Sequence, residues 1–177
     1  MKKLLLAFVA CASFVCAQNL RASDAPVYHE ALIKSIGKNA VSVSGDLDPA
    51  TLKTKKYLFV YYSAHWCPPC RKFTPKLVEF YNKNHANGDF DLIFVSSDKG
   101  QREMNDYMKG EKMPWIGLKL DSKPARALKK LRRGTGIPCL ILIDETGKVI
   151  SQSYDENNKY TGPYTALRAY EKIKKDK

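Results

Sequence analysis

The residues whose types and spacing most clearly suggest chemistry are two cysteines, Cys67 and Cys70, in the stretch SAHWCPPCRKFTP. Only Pro68 and Pro69 separate them. Two thiols at this spacing can form a redox-active disulfide, supply half of a metal site, or make a structural cross-link. The surrounding sequence discriminates between these possibilities.

The alternatives to redox chemistry fit this sequence poorly. A structural zinc site takes about four ligands, usually as two such pairs, but the sequence has no second pair and its three histidines are scattered. A covalent haem would need histidine directly after the second cysteine, where Arg71 stands. A disulfide this short closes almost no loop, so it would restrict the unfolded chain little. Redox chemistry is therefore favoured.

The elements around the pair predict where the two sulfurs lie. The unbroken apolar run at residues 57–62 predicts a strand that is buried on both faces. Four residues beyond the pair share one helical face: Phe73, Leu77, Phe80 and Tyr81. Cys67 therefore falls where a strand ends and a helix begins, with Pro68 and Pro69 in the first helical turn.

That position gives the two sulfurs different roles. Free N–H groups and the positive end of the helix dipole face the sulfur of Cys67. Their field favours a thiolate, lowers the thiol pKa and makes Cys67 the attacking nucleophile, and Arg71 adds positive charge nearby. Cys70 lies one turn into the helix, where it can attack a mixed disulfide on Cys67, and we expect it to be the more buried thiol.

The rest of the pattern predicts one α/β domain with a mixed sheet flanked by helices. Further strands are expected at residues 90–96 and 139–144, within 112–118, and antiparallel at the edge at 149–154. Helices are expected at residues 100–110, 122–131 and 161–175. The turn signal Gly37-Lys38-Asn39 between two short apolar segments predicts an N-terminal β-hairpin over residues 31–45.

Two prolines add detail to the site. Pro75 lies in the interior of the predicted helix, where it removes a backbone hydrogen bond and should kink the helix. Pro138, in GTGIPCL, stands directly before a buried strand, which predicts a cis peptide bond in a tight turn.

These features together resemble the thioredoxin superfamily: WCPPCR after a hydrophobic strand, Pro75 within the helix, and GIP before the next strand. The segments SAHWCPPCR, FVSSD and KMPW are most similar to the tryparedoxin and nucleoredoxin branch. The resemblance covers about residues 53–174. It implies a thioredoxin-like fold and a reversible Cys67–Cys70 disulfide, in which Cys67 attacks and Cys70 resolves.

The resemblance also implies a substrate face. Trp66 would shield the pair, Pro138 would lie beside it, and the adjoining backbone at Ile137 would hydrogen-bond an extended substrate. The supporting residues expected next to the two cysteines are Pro68, Pro69 and Arg71. By analogy with the family, Met113 and Trp115 would line the rim of this face, whereas by sequence alone they are ordinary apolar loop residues.

One position departs from the family pattern. Many thioredoxins carry a buried aspartate six residues before the first cysteine, as proton acceptor for the resolving thiol, and here that position is Tyr61. Water or another carboxylate would have to replace it.

We expect Cys139 to be a buried core residue rather than a third redox thiol, and His65 to be a surface loop residue.

The first residues have the layout of a secretory signal peptide over 1–17, with two lysines, an apolar run and then small residues. Cleavage is expected after Ala17, and lipidation at Cys11 or Cys16 is the alternative. Removal would lower the formal charge of +12 by the two lysines, to +10, and leave three of the five cysteines. We expect a flexible lead-in at 18–30, a thioredoxin-like domain at 31–177, and a periplasmic or secreted protein.

The basic charge is spread along the chain, and its densest cluster is KPARALKKLRR at residues 123–133. A patch for nucleic acid or anionic lipid is one interpretation. A solvated helix face is favoured because exposed charge requires no function. We therefore expect neither a nucleic-acid partner nor stable membrane insertion.

The functional hypothesis is a thiol-disulfide oxidoreductase that exchanges disulfides with protein substrates and needs no cofactor. We expect a monomeric periplasmic reductant with an unidentified electron donor, although an oxidant or isomerase would use the same residues. The alternative from another class is a metallochaperone that holds Cu(I) between the two thiolates.

Overall fold

The computed structural model describes residues 27–45, 47–86 and 88–176. The helices are α1 (Val27–Gly37), α2 (Pro68–Asn84), α3 (Gln101–Gly110), α4 (Lys123–Lys129) and α5 (Tyr164–Lys175), with a 3₁₀ helix at Pro49–Thr54. The strands are β1 (Ala40–Val41), β2 (Tyr57–Ser63), β3 (Phe90–Ser96), β4 (Ile116–Leu118), β5 (Cys139–Asp144) and β6 (Val149–Gln152).

Within the described residues the strands form one six-stranded mixed sheet in the order β1-β4-β3-β2-β5-β6. Strands β2, β3 and β4 are parallel, as expected for strands joined through helices. Strand β5 runs antiparallel to β2 and to β6. The α/β class, the mixed sheet and the antiparallel edge pair are confirmed.

The sheet is covered on both faces, and alternate residues of β2 show why. Phe59 and Tyr61 pack into the layer formed with α2, α3 and α5, whereas Val60 and Tyr62 pack into the layer formed with α1 and α4. Successive side chains of a strand point to opposite faces, so an unbroken apolar run is what a strand between two helical layers requires.

The predicted N-terminal β-hairpin is not confirmed. The structure places helix α1 there, followed by a two-residue strand that pairs with the distant β4. Ile33 and Ile36 are buried against the sheet, one helical turn apart. Asn39 N–H donates to Ile36 O at 2.7 Å, and its side chain donates to Ser35 O at 2.8 Å. The turn signal therefore ends a helix instead of joining two strands.

Helix α1 begins at Val27, inside the span expected to be a lead-in. Residues 18–26 and the expected signal peptide at 1–17 lie outside the described residues. Within the described ranges, no helix is both long and apolar enough to cross a membrane.

Candidate active site

Cys67 lies in the four-residue connection between β2 and α2, at the N-cap of the helix. Its Sγ accepts a hydrogen bond from the Cys70 N–H at 3.3 Å, and Pro68 and Pro69 occupy the first helical turn. Proline fits there because the first amide groups of a helix have no intrahelical partner. The predicted position at the helix N-terminus is confirmed.

The two sulfurs lie at disulfide-bonding distance, and the Cα atoms are 5.2 Å apart. Cys67 retains 4% of its surface exposed and Cys70 none. An incoming thiol or disulfide therefore reaches the pair through Cys67. The expected order of burial is observed.

The Ile137–Pro138 peptide bond is cis, as predicted, and this segment lies beside the pair. Ile137 O is 3.7 Å from Cys67 Sγ, and the Ile137 side chain packs against the buried cluster of Ala64, Cys67 and Cys70. Among the described residues no acceptor receives the Ile137 N–H. The backbone next to Cys67 Sγ thus has a hydrogen-bond donor with no acceptor in the described part of the chain.

Trp66 lies at the rim of the site and is 55% exposed. Its Nε1–H donates to Ser97 O at 3.2 Å, which fixes the indole on the β3 side of the pair. The loop that carries it is held by Asp98, whose carboxylate accepts the His65 N–H at 2.8 Å and the Ser96 hydroxyl at 2.7 Å. The role of Asp98 was not predicted, although it lies in the FVSSD segment.

The Glu111 carboxyl lies within electrostatic reach of Arg71 and His65. Burial raises the pKa of this carboxyl, while the Coulombic interactions with Arg71 and with His65 act in the opposite direction. Arg71 is exposed directly after Cys70, so it supplies positive charge to the helix start as expected. His65 is also exposed, in agreement with a surface loop residue.

A buried network of hydroxyl groups lies beneath Cys70. Thr74 Oγ1 donates to Cys70 O at 2.9 Å and contacts Tyr61 OH at 2.8 Å and Tyr107 OH at 2.6 Å. Because Thr74 has one hydroxyl proton, both tyrosines donate to it, and Ser63 Oγ then donates to Tyr107 OH at 3.0 Å. No single segment of the sequence indicates this network, because its members come from three elements.

Tyr61, at the position where many thioredoxins carry an aspartate, has a structural role in this network. Burial is the largest cause that raises the pKa of both Tyr61 and Tyr107. The two phenols therefore stay neutral at physiological pH and do not act as proton acceptors. At this position the chain has a hydrogen-bonded aromatic residue in the core instead of an ionisable carboxyl group.

Three other residues that the sequence singled out are buried in the core. Cys139 opens β5, is fully buried, and has its thiol pKa raised by that burial, as expected of a core residue. Met113 and Trp115 are also fully buried, and Trp115 packs edge-on against Tyr61 and Tyr81. The expectation that Met113 and Trp115 line the rim is therefore wrong.

The basic cluster at residues 123–133 is divided between solvent and the core. Arg126 and Lys130 are exposed, whereas the Arg132 guanidinium lies 4.7 Å from the centre of the Tyr62 ring. Arg132 thus has a packing role. Across the described ranges, no three His, Cys, Asp or Glu side chains converge as metal ligands would.

Comparison with known proteins identifies the fold family. Residues 55–149, just over half of the chain, match the family described as thioredoxin-like. Tryparedoxin from Trypanosoma brucei brucei is 40% identical over 114 residues, which is 63% of this chain and 77% of that protein. Probable nucleoredoxin 1 from Arabidopsis thaliana is 42% identical over 98 residues, which is 55% of this chain and only 17% of that protein.

A solved structure agrees with these matches. The thioredoxin from Wuchereria bancrofti superimposes with a TM-score of 0.59 at 33% identity, covering 76% of this chain and 94% of that one. The residues that match the family, 55–149, include both cysteines, the cis-proline segment and the central strands between them. The chain therefore belongs to the thioredoxin-like family.

Proposed function

We propose that this protein is a thiol-disulfide oxidoreductase that exchanges disulfides with protein substrates through Cys67 and Cys70. One observation carries the proposal. Cys67 Sγ lies at the N-terminus of α2, accepts the Cys70 N–H, and lies 3.7 Å from the backbone of the cis-proline segment. That arrangement supports the roles of Cys67 as nucleophile, Cys70 as resolving thiol and the Ile137 backbone as a substrate-binding strip.

Reduction of a substrate disulfide then follows two exchange steps. The Cys67 thiolate attacks one substrate sulfur, forming a mixed disulfide and releasing the other substrate sulfur as a thiolate. The Cys70 thiolate attacks Cys67 Sγ, forming the Cys67–Cys70 disulfide and releasing the second substrate thiolate. Two electrons pass to the substrate, whose thiolates take up protons.

The helix start favours Cys67 as the attacking atom. N–H groups and the helix dipole stabilise negative charge at the N-cap. Cys70 has no exposed surface, so it reacts with a sulfur already bound to Cys67 rather than with a free substrate. The nearby phenols do not take its proton, because burial keeps them neutral.

The free Ile137 N–H favours an extended polypeptide as substrate. A chain that pairs with this backbone places its own sulfur near Cys67 Sγ, since Ile137 O lies 3.7 Å away. Protein thiols and disulfides are therefore the proposed partners. The family relationship supports this class of substrate.

The direct test is reduction of insulin disulfides with dithiothreitol as electron source. The wild-type protein should accelerate the reaction, and Cys67→Ser should be no faster than dithiothreitol alone. An active Cys67→Ser variant would refute the proposed mechanism. The direction of electron flow is tested separately, by measuring the reduction potential of the Cys67–Cys70 pair. A value of about −270 mV would support a reductant, and a value of about −120 mV would support an oxidant.

We propose further that the protein is exported. The layout of residues 1–17 supports this: Lys2 and Lys3 precede an apolar run and a small residue, Ala17. Mass spectrometry of the protein recovered from the exported fraction should give an N-terminus at Gln18. An intact N-terminus on protein recovered from the cytoplasm would contradict export.

A further inference from the structure

Two tyrosines lie side by side across a tight turn that follows β6. Tyr154 and Tyr160 form an antiparallel bridge, and Asp155 N–H donates to Lys159 O at 3.0 Å. The Asp155 carboxylate closes the turn by accepting the N–H groups of Asn157 at 3.0 Å and Lys159 at 2.8 Å. The two rings lie 5.3 Å apart at 65°, so the turn fixes one ring against the other.

The hydroxyls of this pair bind the two sides of the cis-proline segment. Tyr154 OH accepts the Gly136 N–H at 2.6 Å, and Tyr160 OH donates to Pro138 O at 2.6 Å. The residue between these two contacts is Ile137, whose carbonyl oxygen lies beside Cys67 Sγ. The tyrosine pair therefore holds the backbone that faces the reactive sulfur.

The GTG sequence before the segment fits this contact. A Cβ atom at Gly136 would lie 2.6 Å from the Tyr154 hydroxyl, and one at Gly134 would overlap the Tyr154 ring. Real Cβ atoms do not approach that closely, so glycine allows the backbone to rest on the tyrosine. The two glycines and Tyr154 thus form one packing unit.

The Tyr160 contact is stable over a wide pH range and open to solvent on one side. Burial raises the pKa of the Tyr160 hydroxyl to about 12, so it remains a donor to Pro138 O at neutral pH. The residue is nevertheless 45% exposed. A conservative change at this position can therefore remove the hydrogen bond without opening the core.

We infer that Tyr154 and Tyr160 are positioning residues that hold the Ile137 backbone for polypeptide substrates and thereby favour protein disulfides over small ones. The inference rests on the proposed function. An extended chain must align with the Ile137 backbone and with Cys67 Sγ at once, and displacement of about 1 Å is costly in such reactions. A small disulfide needs access to Cys67 Sγ alone.

The test compares two substrates, insulin and 5,5′-dithiobis(2-nitrobenzoate), with Tyr160→Phe and the matched control Tyr164→Phe. Tyr164 is 47% exposed and its ring packs edge-on against Phe73, but within the described residues its hydroxyl makes no hydrogen bond. In Tyr160→Phe the ratio of kcat/KM for insulin to that for the small disulfide should fall about three- to tenfold, the range for one lost hydrogen bond. The fall should come mainly from a higher KM for insulin, and Tyr164→Phe should keep the wild-type ratio.

Several outcomes would overturn the inference. An unchanged ratio in Tyr160→Phe, with wild-type protein that reduces insulin, would refute the tyrosine role and leave the proposed function intact. An equal loss toward both substrates would show a merely structural role. Inactive wild-type protein would refute the proposed function, and the inference with it. Tyr154→Phe, which removes the acceptor for Gly136 N–H, provides the second variant and should lower the same ratio.

Discussion

The start of α2 and the start of β5 each carry a cysteine next to a proline, yet they give the sulfur opposite surroundings. At the start of α2, Cys67 keeps some exposed surface and its Sγ accepts a backbone N–H. At the start of β5, Cys139 is paired with Tyr62 inside the sheet and is fully buried. In the proposed mechanism, backbone environment, rather than residue type or a neighbouring proline, separates a reactive thiol from a structural one.

The same contrast extends to protonation. A helix N-terminus stabilises a thiolate, whereas burial raises the pKa of Cys139 and keeps it neutral. The two sites lie close together, because the cis-proline segment that contacts Cys67 leads directly into Cys139. The difference in protonation between Cys67 and Cys139 can therefore be tested by substituting one cysteine at a time.

The largest expected effect separates Cys67 from Cys139. Cys67→Ser should reduce insulin-disulfide reduction to the rate of dithiothreitol alone, because the attacking sulfur is absent. Cys139→Ala should keep the wild-type rate within about twofold, since a buried thiol takes no part in exchange. A comparable loss in both variants would remove the distinction between the two sites.

The second effect separates attack from resolution. Cys70→Ser should still attack through Cys67 but should accumulate a mixed disulfide with substrate, because no second thiolate is present to release it. Mass spectrometry under non-reducing conditions should find that adduct on Cys67. Absence of the adduct, or its presence on Cys139, would contradict the assigned roles.

A third effect concerns stability at alkaline pH in the oxidised protein, where Cys67 and Cys70 do not titrate. The pKa of Cys139 is raised above its ordinary value of 9.0 in the folded state. The unfolded chain therefore loses this proton first as the pH rises, and the free energy of unfolding falls above about pH 9.

Cys139→Ala should remove that contribution. The difference between wild type and variant, measured by urea unfolding from pH 8 to 10, should change by at most about 1.4 kcal/mol per pH unit. Tyrosines with raised pKa values are common to both proteins, although Cys139 contributes to the raised pKa of Tyr160. Burial is the larger cause and holds that pKa at about 12, so Tyr160 stays protonated in the folded state through pH 10 and the tyrosine contributions still cancel. Parallel curves for the two proteins would contradict burial of an ionisable thiol.

The smallest effect tests the hydroxyl network beneath α2. Tyr61→Phe removes one hydrogen bond to Thr74 and should lower the free energy of unfolding by about 1 kcal/mol. The rate of insulin reduction should change by less than about twofold, because a neutral phenol accepts no proton. A large loss of rate without a loss of stability would instead place Tyr61 on the proton path.

The central site could be predicted because local rules determine it. An apolar run indicates β2, prolines suit the first turn of α2, and a proline before a strand indicates the cis bond at Pro138. Each inference uses only a few adjacent residues. The positions of Cys67 and Cys70 followed from these rules without any long-range contact.

The errors and omissions involve contacts between distant segments. Gly37-Lys38-Asn39 suits a hairpin turn and a helix end equally well, and only the buried packing of α1 decides between them. Trp115 lies in a loop by sequence but packs against Tyr61, 54 positions earlier. Tyr160 reaches Pro138 across 22 positions, and no local pattern indicates that contact.

Alkylation of the fully reduced protein tests the central claim most directly, because it compares the three thiols of the described residues in one sample. Brief treatment with substoichiometric iodoacetamide at pH 7, followed by peptide mapping, should place the label first on Cys67. Cys70 should react more slowly, and Cys139 only after denaturation. Labelling of Cys139 or Cys70 before Cys67 in the folded protein would contradict the claim that the α2 N-terminus activates Cys67.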